Sequence, residues 1–175
     1  MEAYHHIATH SKSLESVYHA RQSVVPDNTG PWSILHMPAE PHPLVEGFPL
    51  IDGLEDWQSR DLFATVVFPY LLLAFQGTGA LWYQILPQGA DSLTLKIHLM
   101  LPPQSMECDK ADQYLDEMTA VVSAVHHEDI AANDLVWRGL TAPLTRQGRL
   151  SVYEKSIWQL NQWWLDQMES GANGT

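Results

Sequence analysis

Cysteine and basic residues are scarce in this sequence of 175 amino acids. A single thiol, Cys108, can form neither an internal disulfide nor a cysteine-based metal cluster within one chain. Nine Lys+Arg residues against 21 Asp+Glu give a formal net charge of -12, and the basic residues are scattered singly. Nucleic acid is therefore not an expected partner, because a protein that follows phosphates presents a basic patch or stripe.

The chain also lacks long apolar runs. No stretch approaches the roughly 18 to 20 apolar residues that span a membrane, and the N-terminus has neither the basic region nor the apolar run of a signal peptide. These absences predict a soluble cytoplasmic protein without a membrane partner. Since 45% of the residues are hydrophobic and the length suits one well-cored domain, we expect a single domain over residues 1–175.

One segment, residues 38–60, is predicted to be a long irregular loop. Prolines and glycines recur in it, at Pro38, Pro41, Pro43, Gly47, Pro49 and Gly53. Loops of this length in compact domains usually cover a site or are disordered. The apolar side chains of the segment favour a packed cover, because disordered segments are poor in such residues.

Extended runs dominate the middle of the chain. The sequence predicts a strand over Trp32–Met37 and four more over residues 63–68, 70–76, 79–86 and 92–101. In the last run apolar and polar residues alternate, which is the period of a strand with one face in the core. The short linkers between these runs predict antiparallel hairpins or a meander.

Two amphipathic helices are predicted after the strands, and a short polar helix or helix end over residues 1–18. The first amphipathic helix has apolar residues at helical spacing, namely Ala111, Leu115, Met118, Val122 and Val125. The second, after a capping box from Ser151 to Glu154, has Tyr153, Ile157, Leu160, Trp164 and Met168. Strands grouped before helices indicate an α+β fold, with a curved antiparallel sheet wrapped against a long C-terminal helix.

An aspartate continues the apolar stripe of the first amphipathic helix. Asp129 lies 18 residues after Ala111, which is about five full turns at 3.6 residues per turn. On a continuous helix it points at the core, where an ionised carboxylate is costly unless it is paired, hydrogen-bonded or bound to a metal. The alternative is that the helix ends near His126, so that Asp129 is an exposed residue or a cap.

Histidines are concentrated at the N-terminus, with His5, His6 and His10 in the first ten residues. On a regular helix the side chains of His5 and His10 would diverge by about 140°, so they share a metal only if the helix ends or bulges between them. His6, like His126 and His127, is expected to face solvent or to lie behind the ligands. Two histidines and one carboxylate with open positions form the ligand set of non-haem Fe(II) oxygenases, although the same atoms can hold zinc.

Five short patterns, spread in order along the chain, carry a family resemblance. They are Glu2-Ala3-Tyr4-His5-x-x-x-x-His10, Val67-Phe68-Pro69, Trp82-Tyr83-x-x-x-Pro87, Glu128-Asp129-x8-Arg138-Gly139-Leu140 and Gly148-Arg149-Leu150-Ser151-x-x-Glu154. Together they resemble the catalytic domain of the large subunit of Rieske-type ring-hydroxylating oxygenases. The resemblance spans nearly the whole chain.

The resemblance implies a helix-grip (START-like) domain in which His5, His10 and Asp129 hold a mononuclear Fe(II) ion. It also implies that Glu2 bridges electron transfer from the Rieske cluster of a neighbouring subunit. Enzymes of this family use O₂ to hydroxylate an aromatic or other small organic substrate, as dioxygenases or monooxygenases. The implied partners are a reductase or ferredoxin system, a Rieske domain and further copies of the chain in a homotrimer.

The chain departs from the family in one large respect. The two cysteines and two histidines of a Rieske domain should precede Glu2, and a single cysteine excludes a [2Fe-2S] Rieske centre within this chain. That cluster is therefore expected on an absent domain or a partner, and the chain alone is expected to be inactive in turnover. Because Met1 matches an internal position of longer family members, an N-terminal truncation is expected, either in the assigned start or in the gene.

Two other functions remain compatible with the sequence. A helix-grip module can hold a small apolar molecule in its cavity without redox work, and such a module does not require three converging metal ligands. Zinc-assisted hydrolysis on the same scaffold needs a general base beside the open metal position, and no residue is clearly placed for that role.

Overall fold

The computed structural model describes residues 2–172, and within them it contains one five-stranded antiparallel sheet. The strands are β1 (Trp32–Met37), β2 (Leu62–Val67), β3 (Leu71–Gln76), β4 (Gly79–Pro87) and β5 (Leu93–Met100). Each pairs with the next along the chain, in the order β1-β2-β3-β4-β5. The predicted meander is confirmed, because short connections between antiparallel strands leave consecutive strands as neighbours.

Four α-helices lie in the same described range: α1 (Ala3–Thr9), α2 (Asp56–Arg60), α3 (Ala111–Leu140) and α4 (Lys155–Ala172). Short 3-10 segments cover Ala20–Gln22, Pro103–Glu107 and Val152–Glu154. A sheet followed by two long helices confirms the α+β class and is consistent with a helix-grip domain. In this part of the chain no helix combines the length and apolar character needed to cross a bilayer.

Helix α3 decides the position of Asp129. It runs for 30 residues to Leu140, so the alternative in which a helix ends near His126 is wrong. The buried side chains of its first turns, Tyr114 and Met118, pack under the 38–60 segment, whereas Leu135 on its last turns is 67% exposed. Asp129 therefore lies on a continuous helix between a packed half and an exposed half.

The apolar stripe predicted for α4 is wrong at two of its positions. Trp164 and Met168 were expected to face the core, yet they are 52% and 65% exposed. Two polar residues are buried instead, Ser156 and Gln159. The first turns of α4 are attached to residues 25–27, where the Gln159 amide donates to the Pro26 carbonyl at 2.8 Å and Lys155 donates to the Val25 carbonyl at 2.7 Å. The helix then runs on past the packed part of the fold, since residues 161–170 are exposed except for Trp163.

The main core docks α1 against the sheet. Ala3 of α1 is fully buried in a cluster with residues from β1, β2 and β4, namely Leu35, Met37, Leu62, Ala64 and Leu81. Burying such side chains stabilises the fold by about 1.5–3 kcal/mol each for the larger aliphatic ones. The N-terminal helix is thereby held in a fixed position relative to the strands and to α3.

The 38–60 segment is mostly irregular but ends in a helix that the sequence did not predict. Helix α2 starts at a capping box in which Glu55 and Gln58 satisfy each other's backbone N–H groups. Upstream of it, the Phe48 ring stacks on Tyr114 with centroids 3.9 Å apart, and Val45 is buried beside Met118. The segment thus packs onto α3 through its own apolar residues.

Candidate metal centre and adjoining cavity

Helix α1 sets the orientation of His5. Glu2 caps the helix with both carboxylate oxygens, each accepting from the His5 backbone N–H at 3.0 Å. The His5 ring turns back toward the same residue, since its Nδ1 lies 3.0 Å from the Glu2 carbonyl oxygen. An acidic residue is favourable at a helix N-terminus, where the backbone dipole carries partial positive charge. The opposite nitrogen of the ring, Nε2, is left to face α3.

The end of α1 brings His10 to the same place. The helix stops at Thr9, and His10 is its C-cap, with φ -98° and ψ 26°. This break meets the condition stated from the sequence for His5 and His10 to share a metal. Their ring centroids lie 5.0 Å apart, and only 1% of the His10 side chain is exposed.

Asp129 on α3 meets both imidazoles. Its Oδ1 lies 3.0 Å from His10 Nε2 and 3.6 Å from His5 Nε2. One ligand atom from each of the three residues falls within 4.8 Å of the others. The structure thus gathers the three residues singled out from the sequence.

Each imidazole is also held from behind by an oxygen atom. His5 Nδ1 bonds to the Glu2 carbonyl, and His10 Nδ1 lies 2.8 Å from Glu128 Oε2. The Ser13 hydroxyl donates to the same Glu128 oxygen at 2.7 Å. Metal-binding histidines commonly donate their second ring N–H to a carboxylate or carbonyl, which fixes the tautomer with Nε2 free for the ion.

The electrostatics of the cluster are strongly coupled. Burial alone would lower the pKa of His5, but hydrogen bonds to Asp129 and Glu2 outweigh it and raise this pKa to about 9. Burial would raise the pKa of Asp129, but hydrogen bonds from His10 and His5 hold it well below its usual range. Burial also opposes a raised pKa at His10, and hydrogen bonds to Asp129 and Glu128 overcome it. The His5 ring is therefore mostly protonated at neutral pH, and a bound cation must displace that proton.

The donor set fits a divalent transition-metal ion. Ligand atoms about 2.1 Å from a cation and at right angles to one another lie about 3 Å apart. The separations of 3.0 Å and 3.6 Å between the histidine nitrogens and Asp129 Oδ1 approach that value. Three protein ligands leave further positions open, as in non-haem iron centres.

The neighbouring histidines lie outside the ligand set. His6 is buried behind the ligands, and its ring centroid lies 4.5 Å from that of His5. Of the two positions expected from the sequence, the one behind the ligands is therefore the one observed. Burial, together with the charges of His5 and His10, lowers the pKa of His6 to about 3. His126 and His127 turn their Nδ1 atoms to carbonyls one turn back on α3, at 2.7 Å each.

Sequence reasoning missed the roles of Glu128 and Ser13. Glu128 was visible as the neighbour of Asp129 in the quoted pattern, yet adjacent residues on a helix point about 100° apart, which argues against a shared site. Helix α3 and the N-terminal segment pack so that the two carboxylates reach His10 from either side of its ring. For Ser13 the sequence carries no signal.

A cavity of 610 Å³ approaches the cluster through Ser13, whose hydroxyl bonds to Glu128, although His5, His10 and Asp129 are not part of its lining. Ser13 and Leu14, which follow His10, line one part of it, and residues of the 38–60 segment and of α3 line much of the rest. Its size falls within the range of small-molecule sites. The fold, which is consistent with a helix-grip domain, thus carries a candidate metal centre and, close to it, a pocket of a size suited to a small molecule.

Comparison with known proteins agrees with this class. The sequence profile described as "Ring hydroxylating alpha subunit (catalytic domain)" matches residues 1–170. The chain therefore belongs to the ring-hydroxylating oxygenase alpha subunit family, as its catalytic domain. A comparison with curated proteins gave no significant match.

Proposed function

We propose that this chain is a mononuclear non-haem iron oxygenase domain that hydroxylates an aromatic or other small organic substrate with O₂. The observation that carries the proposal is the convergence of His5 Nε2, His10 Nε2 and Asp129 Oδ1, all within 4.8 Å of one another. Family membership over residues 1–170 supports the same chemistry. When bound, Fe(II) supplies O₂ activation at the positions that the three protein ligands leave open.

The residues of the chain have distinct tasks in this proposal. His5 and His10 present Nε2 because oxygen atoms behind them fix their orientation, and Asp129 neutralises part of the charge of the ion. The cavity, which reaches the ligands through Ser13 and Glu128, holds the substrate. We assign the 38–60 segment the role of its cover.

Electrons come from a Rieske [2Fe-2S] centre outside this chain, supplied by a reductase or ferredoxin system. In the proposal Glu2 bridges this transfer, since its carboxylate lies 3.3 Å from His5 Nδ1 and only 12% of its side chain is exposed. A homotrimer would bring the cluster of one subunit to the Glu2 of the next. The isolated chain is then inactive in turnover.

Iron binding tests the proposal directly. After anaerobic loading with Fe(II), we expect about one iron per wild-type chain and nearly none in Asp129→Ala, because removal of one of three protein ligands weakens the site severely. Asp134→Ala is the matched control, since Asp134 is an exposed aspartate on the same helix. Circular dichroism of the metal-free proteins verifies that each variant is folded. Negligible iron in the folded wild type contradicts the proposal.

A binding module without redox activity is the second candidate function. The cavity of 610 Å³ favours it, because that cavity exists in the chain independently of any metal. This candidate predicts tight binding of a small apolar ligand that is unaffected by Asp129→Ala. The iron measurement and a ligand titration on the same variant separate the two functions.

A further inference from the structure

The lining of the cavity is mostly apolar and carries a limited set of polar groups. Its apolar members come from the segment after His10, the 38–60 segment and α3, and include Leu14, Val17, Leu44, Phe48, Met118 and Val121. Two of its polar pairs are already satisfied internally: Thr78 bonds to the Tyr114 hydroxyl at 2.6 Å, and the Tyr18 hydroxyl lies 3.1 Å from His42 Nε2. An apolar ligand body is thus favoured over most of the surface.

One charged group departs from this pattern. Arg60 lines the cavity, and among the described lining residues there is no lysine, aspartate or glutamate. An arginine without acidic neighbours in the lining is notable in a chain of net charge -12, where acids outnumber bases by 21 to 9. The guanidinium is thus the one cationic Lys or Arg group in the described lining, and Asp61 lies behind it and outside the lining.

The structure holds Arg60 in place. It is the last residue of α2, which lies directly against the turn between β3 and β4. A Cβ atom added at Gly77 in that turn would lie 2.0 Å from the Ser59 carbonyl oxygen, and the Ile51 N–H donates to the Gly77 carbonyl at 2.8 Å. The base of the arginine is thus fixed to the sheet, which lowers the entropic cost of placing its side chain at the cavity.

The acidic residue nearest to Arg60, Asp61, has hydrogen-bond partners of its own. The buried Asp61 carboxylate is 2.7 Å from His36 Nε2 and accepts from the Ala39 N–H at 3.0 Å. Arg60 Nε forms an ion pair with it at 3.6 Å, a separation beyond a normal hydrogen bond. The guanidinium has further N–H donors along the edges of its plane, in a fork that matches a carboxylate.

We propose that the cavity binds a small apolar molecule bearing a carboxylate, with the carboxylate paired to Arg60 and the apolar body against Leu14, Phe48 and Met118. Binding itself is independent of the metal. That this molecule is the compound hydroxylated at the iron rests on the proposed function. Arg60 then acts as the residue that selects the substrate class and orients it in the cavity.

Paired probes of equal size test the proposal on metal-free protein. We expect 2-naphthoate to bind wild type at least roughly tenfold more tightly than 2-naphthalenemethanol, as a charge-assisted pair with arginine gives that advantage over a neutral hydroxyl. Added salt should reduce the preference, because half-exposed charges are screened. Tryptophan fluorescence or calorimetry measures both affinities.

Three variants assign the preference to one side chain. Arg60→Gln should remove the preference for the carboxylate while the affinity for the alcohol stays within about twofold, and Arg60→Lys should retain part of it through charge alone. Arg138→Gln is the matched control, since Arg138 is exposed on α3 and outside the cavity lining. Unfolding curves of all variants verify that they are folded.

Three results overturn the inference: failure of 2-naphthoate to bind the folded wild type, equal affinity of the wild type for 2-naphthoate and the alcohol, and a preference for 2-naphthoate that survives Arg60→Gln. The iron measurement is separate. Iron bound without any carboxylate preference rejects this inference and keeps the oxygenase proposal. An Arg60-dependent preference in a chain that binds no iron keeps the anion site and rejects the oxygenase.

Discussion

At the scale of single residues, the two candidate histidine ligands are oriented by different kinds of oxygen. His5 is held by the backbone carbonyl of Glu2, which no side-chain substitution removes. His10 is held by the Glu128 carboxylate, itself bonded to Ser13. The hydrogen bonds from His10 and Ser13 lower the pKa of Glu128, so it remains an ionised acceptor at neutral pH. The orientation of His10 can therefore be altered without changing a ligand.

We expect Glu128→Ala to weaken Fe(II) binding roughly ten- to a hundredfold, the usual effect of removing the hydrogen-bond partner of a metal-bound histidine. Glu128→Gln keeps an acceptor oxygen and should lose less. Competition with a chelating dye under anaerobic conditions gives the affinities. Glu117→Ala on the same helix is the control, and its side chain bonds only within α3, to Gln113. Unchanged iron affinity in Glu128→Ala would show that Glu128 does not support metal binding.

The protonation of His5 predicts how metal binding depends on pH. Its pKa of about 9 means that the ring is mostly protonated at neutral pH, whereas a metal ion requires a neutral imidazole. Binding must therefore release protons, and Fe(II) affinity should rise between pH 6.5 and pH 8, by roughly tenfold per unit for each proton released. Calorimetry in two buffers of different ionisation enthalpy counts the protons. An affinity independent of pH over this range contradicts the prediction.

At the scale of elements, the positions of helix ends decide which groups meet. Helix α1 ends one residue before His10, and this break turns the second imidazole toward Asp129. Helix α3 carries cavity residues on its first turns and Asp129 further along, so one rigid element couples the pocket to the ligands. Helix α2 depends on a glycine in the β3–β4 turn for its close approach to the sheet.

We expect Gly77→Ala to destabilise the protein by about 1–3 kcal/mol, because its Cβ would overlap the Ser59 carbonyl, 2.0 Å away. Since α2 must move to relieve the overlap, the preference of the cavity for 2-naphthoate should fall as well. Urea unfolding and the ligand titration measure the two effects. Gly139→Ala is the control: nothing lies within 4 Å of its added Cβ, and alanine is favoured over glycine in a helix by about 1 kcal/mol. Equal stability of Gly77→Ala and wild type would contradict this close packing.

At the scale of the whole molecule, three separate parts of the chain build one site. The N-terminal segment supplies the histidines, the 38–60 segment lines much of the cavity, and α3 supplies Asp129 and Glu128. The sheet holds them together, because α1 docks on it through Ala3 and the 38–60 segment bonds to its β3–β4 turn. In a chain of net charge -12, the role we propose for Arg60 is local attraction of an anion to the cavity.

The sequence by itself determined the elements and the three proposed ligands. Strand alternation and helical spacing depend on neighbouring residues, so the five strands, α4 and the start of α3 were predicted to within a few residues. His5, His10 and Asp129 were found because their residue types and order match a family pattern. The length of α3 was left open, since the apolar stripe stops before its exposed second half.

Only the tertiary structure decided which distant groups touch. Glu128 bonds to His10 across 118 residues, and Asp61 to His36 across 25, and no local periodicity encodes either pair. The exposure of Trp164 and Met168 on α4 has the same cause, because which part of a helix is covered depends on distant elements, and residues 161–170 are left exposed except for Trp163. Short-range preferences specify the elements, whereas the packing of elements far apart in the chain brings the ligands, their supporting oxygens and Arg60 to a common site.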